Sequence, residues 1–392
     1  MRTSICPKFK KGSPSAPANY RPIALTCSCC KIFESIISDA ISSYLLAHNL
    51  ISNHQHGFLK KHSTSTNLLE TLNDWTISFS NRNSTIAGYI DFARAFDSVS
   101  HPKLIHKLLS YGIKGNLLLF IQDFLSSRFQ SVKIGSSISS AVPVISGVPQ
   151  GSILGPLLFN IYINDITDLF SNVTIKLYAD DIKLYTILSY PSALSDFQNH
   201  LDIISTWSTT WQIEISYSKC STITLGLPTP TPTFHLGTNS LPHSVVVKDL
   251  GLLIDPTLKF NLHILDLTKR ARQRSSLIFR SFLSRDPIIL LRAFKTYIRP
   301  LLEYSSTVWN PSTIHLIDKL ESVQRSFTKR LNGLSHLPYS ARLSNTKLQS
   351  LELRRLIIDL ITCFNIVKGF SSIPLSALFS PSNNLSSRGH PL

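Results

Sequence analysis

Three short acidic and glycine-rich segments constrain this chain more tightly than any bulk property. Tyr89-Ile-Asp-Phe-Ala-Arg-Ala-Phe-Asp97 closes residues 85–92, which read as a buried strand ending at Asp91. Tyr178-Ala-Asp-Asp181 falls in residues 173–186, which read as a hairpin whose turn carries Asp180 and Asp181. Between them runs Gly147-Val-Pro-Gln-Gly-Ser-Ile-Leu-Gly-Pro156, whose glycines and prolines demand an unusual backbone and leave Gln150 exposed. Any one of these is ordinary, since an Asp-Asp pair in a turn is usually just solvated. In this order they are not, because Asp91 at a strand end and Asp180-Asp181 at a hairpin can converge. Adjacent carboxylates are costly unless a cation shares them, so the set points to a metal site.

The chemistry that suits such a site is nucleotidyl transfer. In-line attack by a 3′-hydroxyl at phosphorus is served by two divalent ions about 3.5–4 Å apart, held by hard oxygen ligands. Charge agrees with a polyanionic partner. The 392 residues carry 39 Lys or Arg against 23 Asp or Glu, a net +16. Residues 257–375 alone hold 19 basic against 7 acidic residues, so most of the surplus sits in the C-terminal third. A localised basic face is a stronger nucleic-acid signal than scattered charge.

Other classes lose ground. Six cysteines make no disulfide framework for this length, which implies a reducing compartment. Cys27, Cys29 and Cys30 lie near His48, His54, His56 and His62, but their spacing is read as no standard zinc pairing. Residues 1–30 lack a continuous apolar signal segment, and the apolar runs at 117–121 and 356–364 are too short or too charged to span a bilayer. An intracellular protein, cytoplasmic and nuclear, is expected.

Hydrophobic periodicity organises the rest. Residues 1–30 read as extended. Helices are expected at 31–50, 104–113, 117–125, 156–170 and 192–211. Residues 131–144 read as a hairpin, and 222–225 and 245–254 as strands. In the C-terminal third, helices are expected at 287–299 (capped by Asp286 and stopped before Pro300), 314–331 and 348–367. The sum is an α+β chain, with an antiparallel middle followed by a basic helical bundle, which suits a right-hand polymerase fold.

The blocks resemble reverse transcriptases of non-LTR (LINE-type) retrotransposons, most like the jockey and CR1 groups. Asn19-Tyr-Arg-Pro-Ile-Ala-Leu25, Gln55-His-Gly-Phe58, the three segments above, residues 211–226 and Lys248-Asp-Leu-Gly-Leu-Leu-Ile-Asp255 appear in the family's order. Arg299-Pro-Leu-Leu-Glu-Tyr304, Leu351-Glu-Leu-Arg-Arg355 and Arg388-Gly-His390 continue it. The resemblance implies fingers at 1–84, an antiparallel-sheet palm at 85–256, a helical thumb at 257–375 and a tail at 376–392. It implies an RNA-directed DNA polymerase using an RNA template, a DNA primer, dNTPs and two Mg2+ or Mn2+ ions. Asp91 and Asp180 would bind metal with Asp181 assisting. Phe96 would be the steric gate against ribonucleotides, and Gln150 would meet the incoming dNTP. Lys219 would serve the leaving pyrophosphate, and Arg21 the triphosphate. Ser216 departs from the family's usual Asn, and Leu59 and Lys61 also differ, none of them a metal ligand. The family's upstream endonuclease has no counterpart in this sequence, so nicking is not assigned to it. An RNA-templated RNA polymerase and an inactive nucleic-acid-binding remnant are the rival readings.

Overall fold

The structure, a computed structural model, describes residues 2–126, 128–227, 229–230 and 232–380. Arg388-Gly-His390 lies outside the described residues. The chain forms two compact units. One comprises Met1–Lys60, Asn83–Thr224 and Pro228–Ser244; the other comprises Lys61–Arg82, Leu225–Leu227 and the chain from Val245 onward. Among the described residues no helix is long and apolar enough to cross a membrane.

The first unit is α+β, as expected. Its central sheet orders the strands Thr174–Tyr178, Asp181–Ile187, Thr85–Ile90 and Ser221–Leu225. The middle pair is antiparallel, with Ile90 opposite Ile182 and Thr85 opposite Ile187. Thr85–Ile90 is buried at nearly every position, which explains why its sequence runs apolar rather than alternating. Helices Leu154–Ile163 and Ala193–Trp211 contribute Phe159, Ile161, Phe197, Leu201 and Ile204 to one core with Ile86 and Ile90. A second sheet pairs Arg2–Phe9 antiparallel with Tyr20–Leu25 and parallel with Phe129–Ile134. Residues 1–30 thus hold two strands, and helix Ser28–Ala47 begins within them. Inside this core Lys107 is 4% exposed, with its ammonium 2.7 Å from Asp165 and 3.6 Å from the centre of the Trp211 ring. Burial still pushes it down to about 8, against the pull of Asp165.

The second unit is helical. Asn261–Ser281 packs against Ile314–Lys329, and Phe279 and Phe294 both meet Phe327 at 4.8 Å between ring centres. Two expectations need correction here, and one helix is new. Residues 245–254 are a hairpin, Val247–Asp249 with Leu252–Ile254, because Leu250 and Gly251 both take positive φ and close a tight turn. The helix from Pro287 does not stop before Pro300. It passes through a wide π-turn, Phe294–Ile298, and Pro300 enters the first turn of Arg299–Glu303, where its missing N–H is not needed. Helix Thr64–Ser80 was not anticipated, although Ser63 and Thr66 form a reciprocal capping box. The family-like segments have structural work in this unit. Arg354 forks onto Glu303, and the Tyr304 hydroxyl donates to the Leu250 carbonyl at 2.7 Å.

His263 is buried against Trp309, and its Nδ1 accepts from the Leu253 N–H at 3.3 Å. Burial pushes it down to about 4, from an ordinary 6.5. The native state thus resists protonation that the unfolded chain accepts. The stability is fully present above 6.5 and is lost as pH falls toward 4, by about 3 kcal/mol at most. Urea unfolding of the full chain at a series of pH values should show this slope, and His263→Gln should flatten it. Parallel slopes in the two proteins would remove histidine as the cause.

Candidate active site

Asp91 is the first residue after strand Thr85–Ile90. The segment 214–220 straps it in place. The Asp91 carbonyl accepts from the Ser216 N–H at 2.8 Å, its N–H donates to Cys220 Sγ at 3.5 Å, and the Ala93 N–H donates to the Glu214 carbonyl at 2.7 Å. Lys219, carried by the same segment, sets its ammonium 2.6 Å from Asp91 Oδ1. Both side chains are partly exposed, so the pair is easily exchanged for other partners.

Asp180 sits one step away in kind. The sequence placed both Asp180 and Asp181 in the turn. The structure closes a two-residue turn of Ala179 and Asp180, and Asp181 is already paired to Tyr178 as the first residue of its strand. This turn needs a positive φ at its first position, and Ala179 adopts +55°. An alanine there is strained, so something must hold it. That is Gln55, 2% exposed, whose Oε1 accepts from the Ala179 N–H at 2.9 Å and from the Gly57 N–H at 2.7 Å. Gly57 lies so close that a Cβ would stand 2.4 Å from the Ala179 nitrogen. The Gln55-His-Gly block, which the sequence gave no task, thus clamps the acidic turn.

The Gly147 loop docks on the first acidic segment. Val148 N–H donates to the Phe96 carbonyl and Gly147 N–H to the Val99 carbonyl, both at 2.8 Å. A Cβ on Gly147 would meet the Asp97 backbone at 2.8 Å, so only glycine fits. Gln150 Nε2 donates to Asp97 Oδ1 at 2.8 Å, and the Gln150 carbonyl accepts from the Ala24 N–H at 2.7 Å. Phe96 is half-buried, stacked on Phe159 at 4.3 Å, with Phe58 edge-on at 6.1 Å. Arg21 is exposed on strand Tyr20–Leu25, across from Lys8.

Electrostatics binds these pieces together. Burial, then the charge of Asp91, pushes the Asp180 carboxyl up, while Arg21 and Lys10 pull it down. Burial also raises Asp97, opposed by Gln150 and by Lys10. Lys10 itself is pushed down by burial and by Arg21 and Lys219. Asp91, Asp180, Asp97, Lys10, Arg21 and Lys219 therefore share one field. Lys10 escaped the sequence reading because it lies in a polar run with no motif around it. Among the described residues, no three His, Cys, Asp or Glu side chains stand close enough together to hold a metal ion. The donors suit one nonetheless: hard carboxylate oxygens, with Asp180 pushed up by burial and by the like charge of Asp91.

Two substitutions test this geometry. Because the native state raises Asp180, ionisation costs stability at neutral pH, and the cost vanishes as pH falls through the carboxylate range. Asp180→Asn should raise Tm by about 1–3 °C at pH 7.5, with the gap closing on acidification. A lower Tm at neutral pH would contradict the account by burial and like charge. Gln55→Ala strands two buried N–H groups and should cost about 2–4 kcal/mol in chemical denaturation.

Known proteins share sequence and fold with this chain. The profile of the family described as reverse transcriptase (RNA-dependent DNA polymerase) matches residues 8–254. The RNA-directed DNA polymerase from mobile element jockey of Drosophila melanogaster is 28% identical over 333 residues, covering 82% of this chain and 36% of that protein. The probable RNA-directed DNA polymerase from transposon X-element of the same fly is 28% identical over 335 residues, 83% of this chain and 37% of that protein. This chain thus spans little more than a third of the length of these relatives. The structure of apo telomerase from Candida tropicalis superposes with a TM-score of 0.51 at 11% identity, covering 94% of this chain and 63% of that one. That likeness speaks for the fold, the α+β polymerase fold expected from the sequence. The chain belongs to the reverse transcriptase (RNA-dependent DNA polymerase) family.

Proposed function

We propose that this chain is the RNA-directed DNA polymerase core of a non-LTR retrotransposon, extending a DNA primer on an RNA template with dNTPs. The observation that carries the reading is the shared field of Asp91 and Asp180, ringed by Lys219, Arg21 and Lys10 beside the docked Gln150 loop. Two Mg2+ or Mn2+ ions, held by Asp91 and Asp180 with Asp181 assisting, would activate the primer hydroxyl and neutralise the leaving pyrophosphate.

The chain's own residues do the positioning. Lys219 keeps Asp91 neutralised at rest, and is free to move to the pyrophosphate once a nucleotide arrives, donating a proton there. Arg21 and Lys10 supply positive charge for the triphosphate. Gln150, fixed by Asp97 and Ala24, presents the loop to the nucleotide and templating base. Phe96 is backed by Phe159, so its ring cannot retreat from a ribose 2′-hydroxyl, and this supports the gate role. Residues 1–84, 85–256 and 257–375 would then serve as fingers, palm and thumb. In the second unit a groove between helices Asn261–Ser281 and Ile314–Lys329 gathers Lys269, Arg272, Arg280 and Lys319. Such a basic track suits phosphate contacts, which position a duplex without reading its sequence.

Primer extension on poly(rA)/oligo(dT) with Mg2+ tests the proposal. Wild type should incorporate dTTP and not UTP, and Asp180→Ala/Asp181→Ala should lose at least 1000-fold of the rate. Phe96→Val should admit UTP. Soluble wild type that binds the duplex yet extends nothing would leave only a nucleic-acid-binding remnant.

A further inference from the structure

Contrary to the reading of their spacing from sequence, Cys27 and Cys30 do stand at Cys-x-x-Cys spacing, a relation masked by the neighbouring Cys29. In the fold they form a facing pair. Cys27 is the N-cap of the 20-residue helix Ser28–Ala47, its sulfur accepts from the Cys30 N–H at 3.4 Å, and the two sulfurs are 3.6 Å apart. A disulfide needs about 2.05 Å, about 1.5 Å closer than the two sulfurs stand. Cys27 is exposed and Cys30 partly so, which gives a small oxidant access. The helix has no acidic residue in its first turn, leaving its positive end to the Cys27 sulfur. The Cys30 N–H and thiol accordingly hold Cys27 below the usual thiol range, while the same contact pushes Cys30 up.

The pair also sits within the mounting of the Gln150 loop. On one side, the Ala24 N–H donates to the Gln150 carbonyl at 2.7 Å and Thr26 Oγ1 to the Gly151 carbonyl at 3.5 Å. On the other, buried Glu34 of the same helix accepts from the Ile153 and Leu154 N–H groups at 2.7 and 3.1 Å. A change in the first turn of this helix therefore reaches residues 147–154 through both anchors.

We propose that Cys27 and Cys30 are a reversible dithiol–disulfide modification site, oxidised by low-molecular-weight disulfides, whose state alters the mounting of the Gln150 loop. The Cys27 thiolate attacks one sulfur of oxidised glutathione, forming a mixed disulfide and expelling one glutathione thiolate. Cys30 then loses its proton to solvent, attacks Cys27 Sγ and releases the second glutathione. Two electrons pass from the protein to the oxidant, leaving one internal disulfide and two glutathione thiols. Formation of the couple is independent of the polymerase reading; only its effect on nucleotide handling rests on it.

The test uses the full chain treated with oxidised glutathione. Intact mass and peptide mapping should show loss of two hydrogens joining Cys27 to Cys30, in wild type and in Cys29→Ser, reversed by dithiothreitol. Cys30→Ser should instead retain glutathione on Cys27. Hydrogen exchange of peptides covering 24–34 and 147–154 should quicken about fivefold on oxidation, the factor expected when one N-cap acceptor is lost. A stable glutathione adduct on Cys27 in wild type, or labelling spread evenly over Cys6, Cys29 and Cys363, would overturn the site. A clean disulfide with unchanged exchange at 147–154 would overturn the link to the loop.

Discussion

The register between strands Thr85–Ile90 and Asp181–Ile187 is the constraint on which the site depends. With Ile90 opposite Ile182, Asp91 leaves its strand beside the turn that carries Asp180. A slip of one residue would turn every side chain of the strand to the opposite face. Burial on both faces of Thr85–Ile90, together with the tight turn at Ala179, forbids that slip. The placement of two carboxylates is thus enforced by apolar packing that has no chemistry of its own.

That placement is held against two costs. The first is conformational, a positive φ at a residue with a Cβ, and a single buried amide, Gln55, offsets it with hydrogen bonds. The second is electrostatic, two like charges in one partly buried site. Lys219, Lys10 and Arg21 reduce it without removing it, as the raised Asp180 shows. As the proposed active site, these carboxylates would show the common compromise between stability and activity.

Much of this was legible in the sequence, for identifiable reasons. Asp91 and Asp180 could be placed because apolar runs and turn residues bracket them. The amphipathic helices at 193–211, 314–329 and 351–367 follow from helical spacing of large apolar residues. What could not be read depends on partners distant in the chain. The clamp joins Gln55 to Ala179, and the Asp91 strap draws on Ser216 and Cys220. Neither leaves a periodic signal. The hairpin at 247–254 was hidden because Leu250, a residue that rarely takes positive φ, occupies the turn. The π-turn before Pro300 was hidden because proline normally ends a helix. Helix Thr64–Ser80 had a capping box to announce it, but Ser63 and Thr66 form the less familiar Ser-x-x-Thr version.

The ion pair between Lys219 and Asp91 shows why the resting site is closed to nothing. Both partners are partly exposed, and pairs of that kind contribute little to stability and exchange readily in water. A fully buried pair would impose a large desolvation cost on any exchange and would lock the site in its resting form. Lys107 and Asp165, in the same unit, strike a different balance: the carboxylate is 33% exposed, much like Asp91, but the ammonium is 4% exposed and stands 3.6 Å from the centre of the Trp211 ring. The fold therefore uses the same two chemical groups in two ways, distinguished by solvent access to the ammonium. In the proposed reaction Asp91 would take a metal in place of Lys219, whose ammonium lies at the surface; at Asp165 the ammonium is buried beside an aromatic ring.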